Sequence, residues 1–232
     1  MEVTNVSHGN SNSPLYLGQK QDELIIFQDQ ACVFNNYKIT GPKIFTFQRQ
    51  FFIGNYPGMY NQKDLYTSDS DKIYKNGSLL HKIPDFVYLF TFYLFGGQIF
   101  SILETGIWEI HTNKLIRFKD LEINETVTSC EIYQNILLLG TEQGNLYQVD
   151  LNSLNSMKIY NHVSTISEIR LNGNYLVVRM MCNELVVLDY QLMTEIFSIY
   201  PVFKIHSVII TDQIISFSNN QGEIFTLEEI DK

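Results

Sequence analysis

The chain has 232 residues, 45% of them hydrophobic, with 16 Phe, 14 Tyr, only 5 Pro and a formal net charge of −9. That is enough apolar material for one sizeable core, and the residue mix suits strands. The acidity argues against a general nucleic-acid binder, which needs a basic stripe to displace counterions; it fits plain solubility or a basic partner surface.

The chain opens with a strand over Met1–Val6 and a polar Ser/Asn stretch to Pro14, without a signal-peptide pattern. Strands follow at Leu15–Leu17, Leu24–Phe27, Cys32–Phe34 and Tyr37–Ile39. In Lys43–Ile83, Ile44–Phe47 and Phe51–Gly54 are apolar strands. The longest insertion, Gly54–Asp71, then reads as a loop carrying Tyr56, Pro57, Met59, Tyr60 and Tyr66. Loop aromatics of this kind either anchor a partner or fold back onto the domain edge. Lys72–Tyr74 and Leu79–His81 resume the strands around the Asn76-Gly77 turn.

Phe86–Phe118 holds two apolar strands about a Gly96-Gly97 turn, and its run Phe86–Phe95 is too short to span a bilayer. Val127–Leu151 is the clearest unit. A strand through Cys130 and Ile132 meets the turn Gln134-Asn135. The apolar strand Ile136–Leu139 follows, read as buried on both faces. The turn Glu142–Asn145, with Gly144 free to take positive φ, leads to a third strand ending at Asp150. Val163–Tyr200, Pro201 as a breaker, and Ile205–Glu228 complete the chain.

Shifting by 39 positions carries Leu146 to Leu185 and Ile224, Val149 to Leu188 and Leu227, and Asp150 to Asp189 and Glu228. One shift back reaches Ile107 and Ile110. A period near 40 with four strands per unit is the signature of propeller blades. The expectation is therefore an all-β chain forming a single β-propeller. Six four-stranded blades fit best, over about 15–40, 43–84, 86–119, 125–160, 163–200 and 205–230, with five or seven also compatible. Residues 2–6 are expected to close the last blade, leaving no open edge.

Ile107–Ile116 (IWEIHTNKLI) resembles the third-strand motif of WD40 repeats, with Trp108 at the tryptophan and Glu109 at the aspartate of the Trp-Asp pair. Gly140–Leu151 resembles the same motif with Tyr or Val for Trp. Asn161–Val178 resembles a repeat start, His162 matching the histidine of its Gly-His pair. Most such pairs are missing, so the chain is identified as a degenerate WD40-like member in which the usual Asp-His-Ser/Thr-Trp network is incomplete. The resemblance implies structural hydrogen bonding by His162.

Cys32, Cys130 and Cys182 lie far apart with no zinc spacing, and read as free thiols in a reducing compartment. The sequons at Asn5, Asn76 and Asn124 carry no weight without an export signal. His81 and His111 fall in solvent-facing connections. Asp150, Asp189 and Glu228 recur at one position and read as acceptors for turn N–H groups rather than as acid/base pairs. Arg179 either pairs with Glu142 or Glu184 or contacts an acidic partner.

These residues point to a non-enzymatic interaction scaffold, an intracellular (cytoplasmic or nuclear) subunit of a multi-protein complex. No catalytic residue, metal, cofactor, sequence-specific nucleic acid or membrane insertion is expected. The partner-binding candidates are Tyr56, Met59, Tyr60, Tyr66 and Arg179. Two alternatives stay open: an incomplete propeller that accepts a partner's strand, and a ligand-binding or catalytic propeller using central-channel residues.

Overall fold

The structure is a computed structural model that describes residues 2–7, 15–20, 23–28, 31–34, 37–40, 50–53, 56–61, 64–69, 72–75, 77–83, 89–95, 98–211, 214–219 and 224–228. The expected strand Ile44–Phe47 and the Gly96-Gly97 turn lie outside these residues. The strands in chain order are β1 (Glu2–Ser7), β2 (Leu15–Lys20), β3 (Glu23–Gln28), β4 (Ala31–Phe34), β5 (Tyr37–Thr40), β6 (Gln50–Ile53), β7 (Tyr56–Asn61), β8 (Asp64–Asp69), β9 (Lys72–Lys75) and β10 (Ser78–Lys82). They continue with β11 (Leu89–Phe95), β12 (Gln98–Leu103), β13 (Gly106–Glu109), β14 (Lys114–Arg117), β15 (Val127–Tyr133), β16 (Ile136–Thr141), β17 (Asn145–Asp150) and β18 (Ser156–Asn161). The last are β19 (Ile166–Asn172), β20 (Tyr175–Met180), β21 (Leu185–Asp189), β22 (Thr194–Ile199), β23 (Ile205–Thr211), β24 (Ile214–Asn219) and β25 (Ile224–Glu228). A 3-10 turn covers Phe118–Leu121. Among the described residues no helix is long and apolar enough to cross a membrane.

Two compact units divide the chain: Met1–Phe45 with Arg170–Lys232, and Thr46–Ile169. The first contains the antiparallel sheets β2-β3-β4-β5 and β1-β25-β24-β23, and, from Arg170 on, the sheet β19-β20-β21-β22. β1 pairs with β25 from Glu2↔Glu228 to Asn5↔Phe225, with a register shift before Ser7↔Ile224. This corrects the strand-acceptor alternative, which needs an unpaired edge at β25. Val177, Leu185, Val187, Ile205, Val208 and Phe217 are buried together in this unit's core. Phe203 stacks on Phe225 at 4.2 Å and on Phe217 at 5.9 Å.

The second unit contains sheets β10-β9-β8-β7-β6, β11-β12-β13-β14 and β15-β16-β17-β18. Here two expectations are corrected. The segment read as a loop holds β7 and β8, with Met59 opposite Tyr66 and Tyr60 opposite Leu65, so this sheet has five strands rather than four. Tyr, Thr and Leu fit a pleated surface better than a loop. Pro57 has no N–H to give a ladder. It stands opposite Phe52 of β6 but precedes the first β7–β8 pair, Gly58↔Thr67, so it faces a ladder on one side only. His81 lies in β10, half-buried, rather than in a solvent-facing connection, because the strand extends to Lys82. Leu137, Leu138 and Leu139 are all fully buried, as an apolar run covered on both faces requires.

The 39-residue repeat is visible in individual hydrogen bonds. The Leu151 N–H donates to the Asn135 carbonyl at 2.8 Å, and the Tyr190 N–H to the Asn174 carbonyl at 2.7 Å. Asp150 Oδ1 accepts the N–H groups of Asn152 (2.9 Å) and Ser153 (2.8 Å). Asp189 Oδ1 accepts those of Gln191 and Leu192, both at 2.9 Å. Each aspartate thus satisfies the donors of the turn that follows its strand, as its recurrence suggested. The Glu228 side chain lies outside the described set. First strands are also stitched to the next sheet's first strand. Thr128 Oγ1 donates to the Ile166 carbonyl (2.6 Å) in the second unit, and Arg170 Nε to the Val208 carbonyl (3.0 Å) in the first.

Candidate functional site

The connections between sheets present apolar side chains on a hydrogen-bonded frame. In the second unit the turn β16–β17 carries Gly144 at φ +81°, a conformation glycine adopts without strain. Its carbonyl accepts the His162 N–H at 2.8 Å. Thr165 Oγ1 donates to the Glu142 carbonyl at 2.8 Å, and the Ser164 N–H to His162 Nδ1 at 3.1 Å. His162 therefore does structural work, as expected. Val163, between these anchors, is 98% exposed.

In the first unit the corresponding turn carries Asn183 at φ 72°. Asn183 Nδ2 donates to the carbonyls of Phe203 (2.7 Å) and Pro201 (3.1 Å), and Oδ1 accepts the Ile205 N–H at 2.9 Å. Val202, inside this clamp, is 103% exposed. Met181 and Tyr200 are also exposed. The Tyr200 hydroxyl donates to Glu184, and that bond, with partial desolvation and the carboxylate's charge, pushes it up to about 12. Val163 and Val202 are one repeat apart in sequence, 163 against 202.

Behind the second unit's connection lies a polar network centred on Glu125, half-buried in the segment before β15. Glu125 Oε2 accepts from Thr141 Oγ1 at 2.6 Å, and Oε1 accepts from Asn145 Nδ2 and from the Tyr147 hydroxyl, both at 2.7 Å. Asn161 Nδ2 extends the network to Asn145 Oδ1 at 2.8 Å. Burial pushes the Glu125 carboxyl up. The hydrogen bonds from Thr141, Tyr147 and Asn145 and the charge of Lys158 outweigh it and hold the group below its ordinary range. Burial and the bond to Glu125 push the Tyr147 hydroxyl up to about 12. The network fixes geometry: it satisfies the buried polar groups of Thr141 and Asn145 where sheet and connection meet.

Of the residues singled out in sequence, Tyr56, Met59 and Tyr60 are in β7 and Tyr66 in β8; their side chains lie outside the described set. Arg179 is in β20, far along the chain from them. Its Nη1 donates to the Ile205 carbonyl at 3.3 Å, a contact that binds β20 to the start of β23. Trp108, at the motif's tryptophan, packs against His81. His111 is exposed. Cys130 and Cys182 are free thiols. Among the described residues no group of three His, Cys, Asp or Glu gathers at metal-holding distance. Sequence reasoning missed Glu125. Its signal was the polar pair Thr141 and Asn145 set between apolar runs, which needs a partner from outside its own hairpin. It also missed Val163 and Val202, which the 39-residue shift would have aligned.

No family model matches this chain, and no curated protein does. Solved structures do. The virginiamycin B lyase of Staphylococcus aureus superposes with a TM-score of 0.72 at 12% identity, covering 99% of each chain. The computationally designed Ika8 protein superposes with a TM-score of 0.57 at 10% identity, covering 94% of this chain and 97% of that one. At such identities the likeness speaks for the fold alone.

Proposed function

We propose that this chain is a WD40-like propeller of six blades, closed through β1, and that it is a non-enzymatic interaction scaffold within an intracellular multi-protein complex. The observation that carries the reading is the pair Val163 and Val202. Each is fully exposed on a connection whose backbone is pinned from both sides, at the same place in successive repeats. An isolated exposed valine is ordinary. Each of these two, on a rigid frame within its own unit, offers an apolar contact that a partner can use without paying to order a loop. The Glu125 network is in keeping with the WD40 likeness, since it holds Tyr147, which stands one repeat after Trp108 at the motif's tryptophan position. Tyr56, Met59, Tyr60 and Tyr66 belong to the proposal as a second contact surface on β7 and β8. Arg179 is left out, its Nη1 being engaged by a backbone carbonyl.

The test is the size of the tagged chain's assembly when purified from its native cell. Elution well above 27.0 kDa with a stoichiometric partner agrees with the proposal; elution alone at that mass contradicts it. A second reading, a catalytic propeller, draws on the likeness to a lyase. Loss of virginiamycin B on incubation with the purified chain would favour it.

A further inference from the structure

We propose that His81 and Trp108 form an acid-sensitive latch between the sheets β10-β9-β8-β7-β6 and β11-β12-β13-β14, closed while the imidazole is neutral and loosened when it is protonated. Their rings lie 5.7 Å apart, inclined at 49°. His81 Nε2 and Trp108 Nε1 are buried and have no hydrogen-bond partner among the described residues. Ser101, directly opposite Trp108 in β12, is 1% exposed, and its hydroxyl is likewise without a partner. The surroundings are apolar: Ile73, opposite His81, is buried with Leu89, Phe92 and Leu103, and Trp108 packs against that cluster.

A neutral imidazole can leave Nε2 as a bare acceptor at modest cost. Protonation makes both ring nitrogens donors and leaves the buried Nε2–H without an acceptor among the described residues. The charged groups on the strands around the latch are Lys72 and Lys75 on β9, Lys82 on β10, Glu109 on β13, and Lys114 and Arg117 on β14; Tyr74 and Tyr93 are the nearby phenols. Among the described residues Glu109 is the only anion on these strands; Asp64 and Asp69 are on β8, two strands from His81, and Glu104 is in the exposed turn between β12 and β13. Glu109 follows Trp108 directly, so strand alternation turns it to the opposite face of the sheet. The tilted Trp108 ring offers a cation some attraction. It does not replace the hydration the imidazolium loses. In agreement, burial lowers the His81 pKa from 6.5. The folded state then binds fewer protons than the unfolded one just below 6.5. The latch's contribution is complete above that value and is lost as pH falls toward the lowered folded value.

The chain's single tryptophan makes Trp108 its own reporter. Fluorescence-detected melts of the whole chain, wild type against His81→Phe, test the latch between about pH 7.5 and about pH 5.5. The wild type is expected to lose about 2–4 °C more in Tm over that range than the variant. Its native Trp108 emission is expected to change with a midpoint below 6.5, a change His81→Phe lacks. His81→Gln, which keeps a polar side chain but takes no proton, serves if the Phe variant does not fold, and is expected to show the same flat profile. Equal pH slopes in wild type and variant, or a wild-type emission that ignores pH, would overturn the proposal.

Discussion

Gly144 and Asn183 hold the same turn one repeat apart by opposite means. Both have positive φ, 81° and 72°, between the second and third strands of their sheets. Gly144 lets the next connection come so close that a Cβ would overlap the His162 carbonyl oxygen, and its own carbonyl takes the His162 N–H. Asn183 tolerates the same backbone conformation, as asparagine can. It reaches the more distant connection with its amide, binding Pro201, Phe203 and Ile205. Pro201 replaces His162 and has no N–H to offer, so the side chain takes over the clamping.

Gly144→Ala adds strain at positive φ to an overlap with backbone. A loss of about 2–4 kcal/mol is expected. Gly77 has the same φ of 81° but open space around it, and Gly77→Ala is expected to cost only about 1 kcal/mol. Urea midpoints of the two variants separate close approach from backbone conformation.

Asn183→Ala leaves the Ile205 N–H and two carbonyls without their side-chain partner and forces alanine into positive φ. The expected loss is about 1–3 kcal/mol. Asn183→Gly removes the bonds but not the conformational fit, so it should fall between wild type and alanine. Hydrogen exchange at the Ile205 amide should quicken in both variants.

The Glu125 network predicts an acid-dependent stability difference. Because the folded carboxyl is held below 4.5, its contribution is complete above that value and is lost as pH falls through the folded one. Glu125→Gln keeps the shape without the charge and is expected to cost about 1–2 kcal/mol at neutral pH. The gap to wild type should narrow as the buffer is acidified below pH 4.5, read from unfolding curves at a series of pH values. A gap constant with pH would assign Glu125 no role as a charged acceptor.

Tyr56→Ala with Tyr60→Ala tests the second surface. If these tyrosines contact a partner, capture falls while Tm changes little. If they only pack within the five-stranded sheet, Tm falls by several degrees, as loss of buried aromatic area requires.

Much of this fold was legible because burial leaves a simple trace. Leu137–Leu139 announced a doubly covered strand, and the recurrence of Asp150 at Asp189 announced the turns they cap. The β7–β8 hairpin was not legible. Pro57 and Gly58 are locally disfavoured in strands, and only pairing with β6 and β8, a tertiary effect, overrides them. Glu125 was equally hidden. Its partners Thr141, Asn145 and Tyr147 lie 16 to 22 positions away, and no local pattern ties a carboxylate to them. His81 was misplaced by one strand end, and its contact with Trp108 joins two sheets that sequence reading treats one at a time.

The measurement closest to the central claim is quantitative affinity capture from the native cell with wild type and with the paired variant Val163→Asp, Val202→Asp. Both positions are fully exposed, so the variant should fold with a Tm within about 2 °C of wild type. The scaffold account predicts that it loses, at least about tenfold, the partner that wild type holds stoichiometrically. Undiminished capture by the folded variant would contradict it.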